Sequence, residues 1–127
     1  MRFEAELYET ANGDCPVKMF LDKTETKMRA KTMQMIALLE EKGNELREPY
    51  SKPLSDGIFE LRVKIGSDIS RVLYFFVVGN KIVLTNGFIK KTQKTPRTEI
   101  ERAKRYRADY LTRQHDNEET DETRKEN

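Results

Sequence analysis

Residues 57–97 read GIFELRVKIGSDISRVLYFFVVGNKIVLTNGFIKKTQKTPR, and their pattern decides the fold. Over 58–65 the side chains alternate, with Phe59, Leu61, Val63 and Ile65 on one side and Glu60, Arg62 and Lys64 on the other. A period of two is that of a half-buried strand. Residues 70–78, SRVLYFFVV, are apolar on both sides, as a strand inside a sheet must be. A third strand is expected over 82–89. Gly66-Ser67-Asp68 and Gly79-Asn80 are turns too short for a crossover, so the three strands should be antiparallel neighbours. Asn86-Gly87 has the composition of a hairpin turn. The residues after it are too charged to make a partner strand, so Gly87 is expected at a bend or a close backbone approach.

Upstream, RFEAELYE (residues 2–9) alternates as a strand does, and Asn12-Gly13-Asp14 is a turn. Pro16 suits the first position of a brief helix over 16–22, where its missing N–H costs nothing. Asp22, with Glu25 three residues on, is positioned to cap a second helix. Met28, Thr32, Met35 and Leu39 recur at helical spacing, with Ile36 widening the stripe; this is expected to be core packed on the sheet. Gly43-Asn44 ends that helix. Residues 44–56 hold Pro49, Pro53 and Asp56-Gly57 and read as a connecting loop.

Downstream, Thr95 is expected to cap a last helix with Pro96 in its first position. Ile100, Ala103, Tyr106 and Tyr110 form its buried stripe. From Gln114 the chain lacks apolar residues and reads as a disordered acidic tail, residues 114–127, after a single domain over 1–113. The fold class is therefore α+β: a small, mainly antiparallel sheet with N-terminal helices packed on it and a C-terminal helix.

Composition narrows the function. No apolar run nears the roughly 20 residues of a membrane-spanning helix, and the opening MRFEAELYET is not the pattern of a secretory signal. A lone cysteine, Cys15, cannot form an internal disulfide, which fits a reducing cytoplasm. A lone histidine in the polar tail, His115, argues against a metal centre, and no cofactor is implied. The net charge of +2 conceals a gradient: residues 114–127 carry six acids and two bases, leaving +6 over residues 1–113. Residues 88–107 alone hold eight Lys or Arg against Glu99 and Glu101. Such clustering is the footprint of a polyanionic partner, nucleic acid or acidic protein, or else a solvated helix face.

The residues able to do chemistry are basic: Arg62, Lys64, Arg71, Lys90, Lys91 and Lys94. Three antiparallel strands can gather them onto one patch that binds a phosphodiester and stabilises the charge developing on phosphorus. For RNA the nucleophile can be the substrate's own 2′-hydroxyl, with a lysine among cations serving in proton transfer. Arg71 can equally pair with Glu60 across the hairpin, and Lys90 and Lys91 can serve to blunt a strand end. Tyr74, Phe75 and Phe76 read as core, whereas Tyr50 in its loop is a candidate for stacking on a base.

The ordered set PLSDGIFELRV, SRVLYFF and GFIKKTQKTP, followed by EIERAKRYRADYL, closely resembles the HigB-like, phage-derived branch of the RelE/ParE toxin superfamily. The resemblance spans roughly residues 1–113. It implies a toxin of a type II toxin–antitoxin system, an endoribonuclease that cuts mRNA on the translating ribosome without a metal. It also implies a cognate antitoxin with a helix-turn-helix domain and a toxin–antitoxin complex that binds operator DNA. By position, Arg71 matches the arginine that grips the scissile phosphate. Arg62 and Lys91 match basic residues of the neighbouring strand and of the loop after the last strand. Lys90 supports them, and Glu48 is the nearest match to a glutamate base. Lys64, Lys94, Arg97 and Tyr50 are then RNA-binding candidates. The chain departs from its relatives at Asn86, where many carry histidine, and at Glu60, where RelE-type sequences can carry a base. No tyrosine follows the Lys-Lys pair until Tyr106. A ParE-like gyrase poison and a non-catalytic antitoxin- or RNA-binding relative are the alternatives.

Overall fold

The computed structural model describes residues 2–90 and 94–126, with side chains as far as residue 117. Among the described residues five strands form one sheet in the order β1-β5-β4-β3-β2. The strands are β1 (Glu4–Leu7), β2 (Ser51–Ser55), β3 (Ile58–Ile65), β4 (Asp68–Val77) and β5 (Lys81–Lys90). β1 lies parallel to β5, and every other neighbouring pair is antiparallel. The helices are α1 (Pro16–Lys23), α2 (Thr26–Lys42) and α3 (Arg97–Glu126). The α+β architecture expected from the alternation of Ile58–Ile65 and the apolar run of β4 is the one observed.

Alternation sorts the core into two layers. Leu61, Val72, Tyr74, Ile82 and Leu84 pack with Val17 and Leu21 of α1 and Leu39 of α2. Ile58, Leu73, Phe75 and Val83 point the other way and pack with Tyr8 and with Ala103, Tyr106 and Tyr110 of α3. The sheet is thus covered on both faces, which is why β4 is apolar on both. Each such buried aliphatic side chain contributes about 1.5–3 kcal/mol. Tyr8 ties α3 to the beginning of the chain. Its ring stacks on Tyr106 at 4.7 Å, and its hydroxyl donates to Asp109 at 2.6 Å. Asp109 also accepts from Arg113 Nη2 at 2.8 Å, and Tyr110 donates to Glu6 at 2.7 Å.

Burial, and then the bond to Asp109, push the Tyr8 hydroxyl up to about 12. The unfolded chain therefore loses this proton first. The stability it represents is complete below about pH 10 and is lost as pH rises toward the folded value. Tyr8→Phe should cost about 1 kcal/mol at neutral pH yet flatten the alkaline limb. Urea midpoints measured from about pH 9 to pH 11 check both.

Several local expectations change. Residues 51–55 form an edge strand rather than loop; Pro53 is tolerated there, beside an irregularity in register between Pro53 and Ser55. Asp22 does not cap α2. It ends up inside α1, bonded to Lys18 at 3.0 Å, because Thr24 closes α1 by donating to Phe20 O at 2.7 Å. α2 starts at Thr26 after Glu25, with no side-chain cap bond. Gly43 does end α2, at φ +53°, with the Phe3 ring where a Cβ would stand. α3 runs on from the 113 boundary to Glu126. Among the described residues no helix is long and apolar enough to cross a membrane.

Gly87 is the close approach the sequence suggests. A Cβ there would lie 2.5 Å from Phe20 Cδ2. Gly87→Ala must displace the ring that joins α1 to β5, and should cost about 1–3 kcal/mol. A urea denaturation curve with a lower midpoint and an unchanged slope would show it.

Candidate functional site

The basic residues of the strands gather on the α3 side of the sheet, where strand pairing arranges them in rows. Arg62 on β3 pairs with Arg71 on β4, which pairs with Phe88 on β5. In the next row Lys64 pairs with Ile69, which pairs with Lys90. Two strand spacings put Lys64 and Lys90 roughly 10 Å apart at the backbone. Both side chains are exposed. Behind the Arg62 row, Lys52 of β2 pairs with Glu60 of β3.

Two arginines directly opposite one another repel. Glu60 answers this from the same face, two residues before Arg62. Its Oε2 lies 3.2 Å from Arg62 Nε and its Oε1 3.8 Å from Arg71 Nη1. Glu60 and Arg71 are both 0% exposed, whereas the Arg62 side chain keeps 17%. Thr95 completes the cluster: its hydroxyl donates to Glu60 Oε1 and accepts from Arg71 Nη1 at 3.4 Å. Thr95 therefore does not act as the helix cap its position suggests; α3 begins at Arg97. The Arg71 guanidinium also lies 6.0 Å from the Phe88 ring centre. Burial pulls its pKa below the ordinary value, Glu60 opposes this, and Arg62 adds to it. An arginine stays charged regardless.

Two clefts flank this cluster. One, of about 340 Å³, lies among Met35, Pro49, Tyr50, Arg62, Lys64 and Ile69. Tyr50 is 48% exposed there, and its carbonyl accepts from the Arg62 N–H at 2.8 Å. The other, of about 390 Å³, is lined by Lys52, Pro53, Leu54, Lys94, Thr95 and Ile100. Arg62, Lys64, Arg71 and Lys90 thus share a face, with Lys94 beside it. Glu48 is exposed immediately before Pro49, and Arg97 is exposed at the start of α3. Lys91 lies outside the described residues. Asn86 is buried and donates to Glu99 O at 3.2 Å. Among the described residues no group of His, Cys, Asp and Glu could hold a metal ion.

The sequence gives little sign of three residues at the site. Glu60 stands alone as an acid in the polar register of β3, between Arg62 and the glycine turn. That isolation is its signal. Lys52 carries none, because its pairing with Glu60 depends on a strand that Pro49 and Pro53 disguise. Thr95 has the signature of a cap and is used otherwise.

The protein-family model described as Phage derived protein Gp49-like (DUF891) matches residues 19–108. No curated protein matches the chain significantly.

Proposed function

Because the chain belongs to the Gp49-like family of phage-derived proteins, a family of RelE-like toxins of toxin–antitoxin systems, we propose that it is a ribosome-dependent mRNA endoribonuclease of the HigB-like branch. The single observation that carries the reading is the row Arg62–Arg71 beside the row Lys64–Lys90, four cations from three adjacent strands on one face. The 2′-oxygen of the substrate attacks the adjacent phosphorus and the bond to the 5′-oxygen breaks. A 2′,3′-cyclic phosphate and a new 5′-hydroxyl end result. Arg71 and Arg62 hold the phosphate and take up the charge that grows on its oxygens. Lys64, Lys94 and Arg97 track the backbone on either side. Tyr50 offers a ring for a base to stack on. Glu48, next to the Tyr50 cleft, is the proposed base that takes the 2′-hydroxyl proton, and Lys90 and Lys91 are the proposed source of the proton that the departing 5′-oxygen takes up.

The family implies an antitoxin partner. We take this antitoxin to be a helix-turn-helix protein that covers the basic face, in a complex that binds operator DNA, and the setting to be the cytoplasm. The test is brief induction of the chain without its antitoxin, followed by mapping of RNA 5′ ends. New 5′-hydroxyl ends within translated messages are expected. DNA damage without such ends would replace the reading with a gyrase poison. Antitoxin binding with neither would leave a non-catalytic relative.

A further inference from the structure

Arg71 uses the two edges of its guanidinium differently. Nη1 is engaged by Glu60 and by Thr95. Nε and Nη2 form the side-on edge that pairs with two oxygens of a carboxylate or phosphate at once. Both are buried, and neither has a hydrogen-bond partner among the described residues. Buried polar groups are nearly always paired, so two idle donors on one enclosed cation need an explanation. Thr95 is itself buried, at 8% exposure, and its contacts close the cluster. Directly outside it lies the cleft that Lys52 and Lys94 flank. A cationic entrance therefore leads to the Thr95 hydroxyl, which holds Arg71 Nη1, and the Nη2 on the same carbon has no hydrogen-bond partner among the described residues.

We propose that Thr95 is a latch and Glu60 its keeper, two positioning residues that hold Arg71 in reserve. An RNA phosphodiester entering between Lys52 and Lys94 displaces the Thr95 hydroxyl from Arg71 Nη1 and takes Nη1 together with the unpartnered Nη2, end-on. Glu60, 3.8 Å from Nη1, keeps the guanidinium aligned. This rests on the RNA reading of the face and adds a gating step to it. The closed form is the one seen in the structure, and the observed affinity is that of the open form multiplied by the fraction of molecules in which the latch is open.

The probe is a 2′-O-methyl RNA pentanucleotide, which offers phosphodiesters but no 2′-hydroxyl to react. Its affinity and the Arg71 Nε–H resonance are followed by NMR. Thr95→Val, which lacks the hydroxyl, should bind about five- to tenfold more tightly than wild type. Thr95→Ala, with no branched side chain to accommodate, should do the same, and Thr95→Ser should behave as wild type. The gain should vanish when Arg71→Lys is added, and the Arg71 resonance should move on binding. Unchanged affinity in both Thr95→Val and Thr95→Ala, a gain that survives Arg71→Lys, or no binding by any variant would overturn the latch. RNA cutting by wild type without the Thr95 effect removes the latch alone. The Thr95 effect in a protein that cuts no RNA removes the nuclease reading alone.

Discussion

Glu60→Leu should lower the free energy of unfolding by about 3–5 kcal/mol, the cost of leaving a buried charge without its partner. Arg71 is wholly enclosed and faces Arg62 directly across the strand pair. Glu60 is the only carboxylate within ion-pair distance of Arg71 among the described residues. Without it, a buried cation is left beside a like charge. Adding Arg71→Met to Glu60→Leu should restore most of the loss, since a buried ion pair replaced by apolar groups of similar size is often neutral or better. Arg62 keeps a path to water and can carry its charge outward. Urea denaturation of the single and double variants measures both steps. A double variant as unstable as the single would mean that the cost lies in packing and not in the unpaired charge. Recovery would mean that the fold does not need these charges, which points to a use for them beyond stability.

The second large effect is on activity. Arg71→Lys keeps a positive charge against Glu60 but gives up the planar fork. If Arg71 holds the scissile phosphate, the rate of mRNA cleavage should fall about 10²–10³-fold, the usual loss when one preorganised donor to a developing oxyanion is removed. Growth arrest on induction should weaken in parallel. Single-turnover cleavage on programmed ribosomes is the direct measurement, with urea midpoints confirming that the variant is folded. Undiminished cleavage would reduce Arg71 to a structural partner of Glu60.

The sheet was readable because its signals are local. Alternation in Ile58–Ile65, an apolar run in β4 and two glycine turns fix three strands and their pairing, and pairing alone sets Arg62 opposite Arg71. β2 was not readable: Pro49 and Pro53 signal a loop, and only an edge position with its register break makes a strand there tolerable. Boundaries between helices failed for a similar reason, since Asp22 and Thr24 both have capping chemistry and packing chose between them. At the site, residue types announced a basic face, but not that its central arginine would be enclosed. Enclosure depends on where Thr95 falls relative to Glu60, across a sequence separation that no period or motif encodes.

The bonds that Tyr8 donates to Asp109, Tyr110 to Glu6 and Arg113 to the Glu9 carbonyl make the two ends of the domain each other's fastening. β1 takes its backbone partners from β5, but the segment from Glu6 to Glu9 gains these side-chain partners only once the polypeptide has been made as far as Arg113. A nascent chain still short of that point has its hairpins but no finished scaffold. These fastenings lie at the β1 edge of the sheet, the opposite edge from β2 and its Lys52.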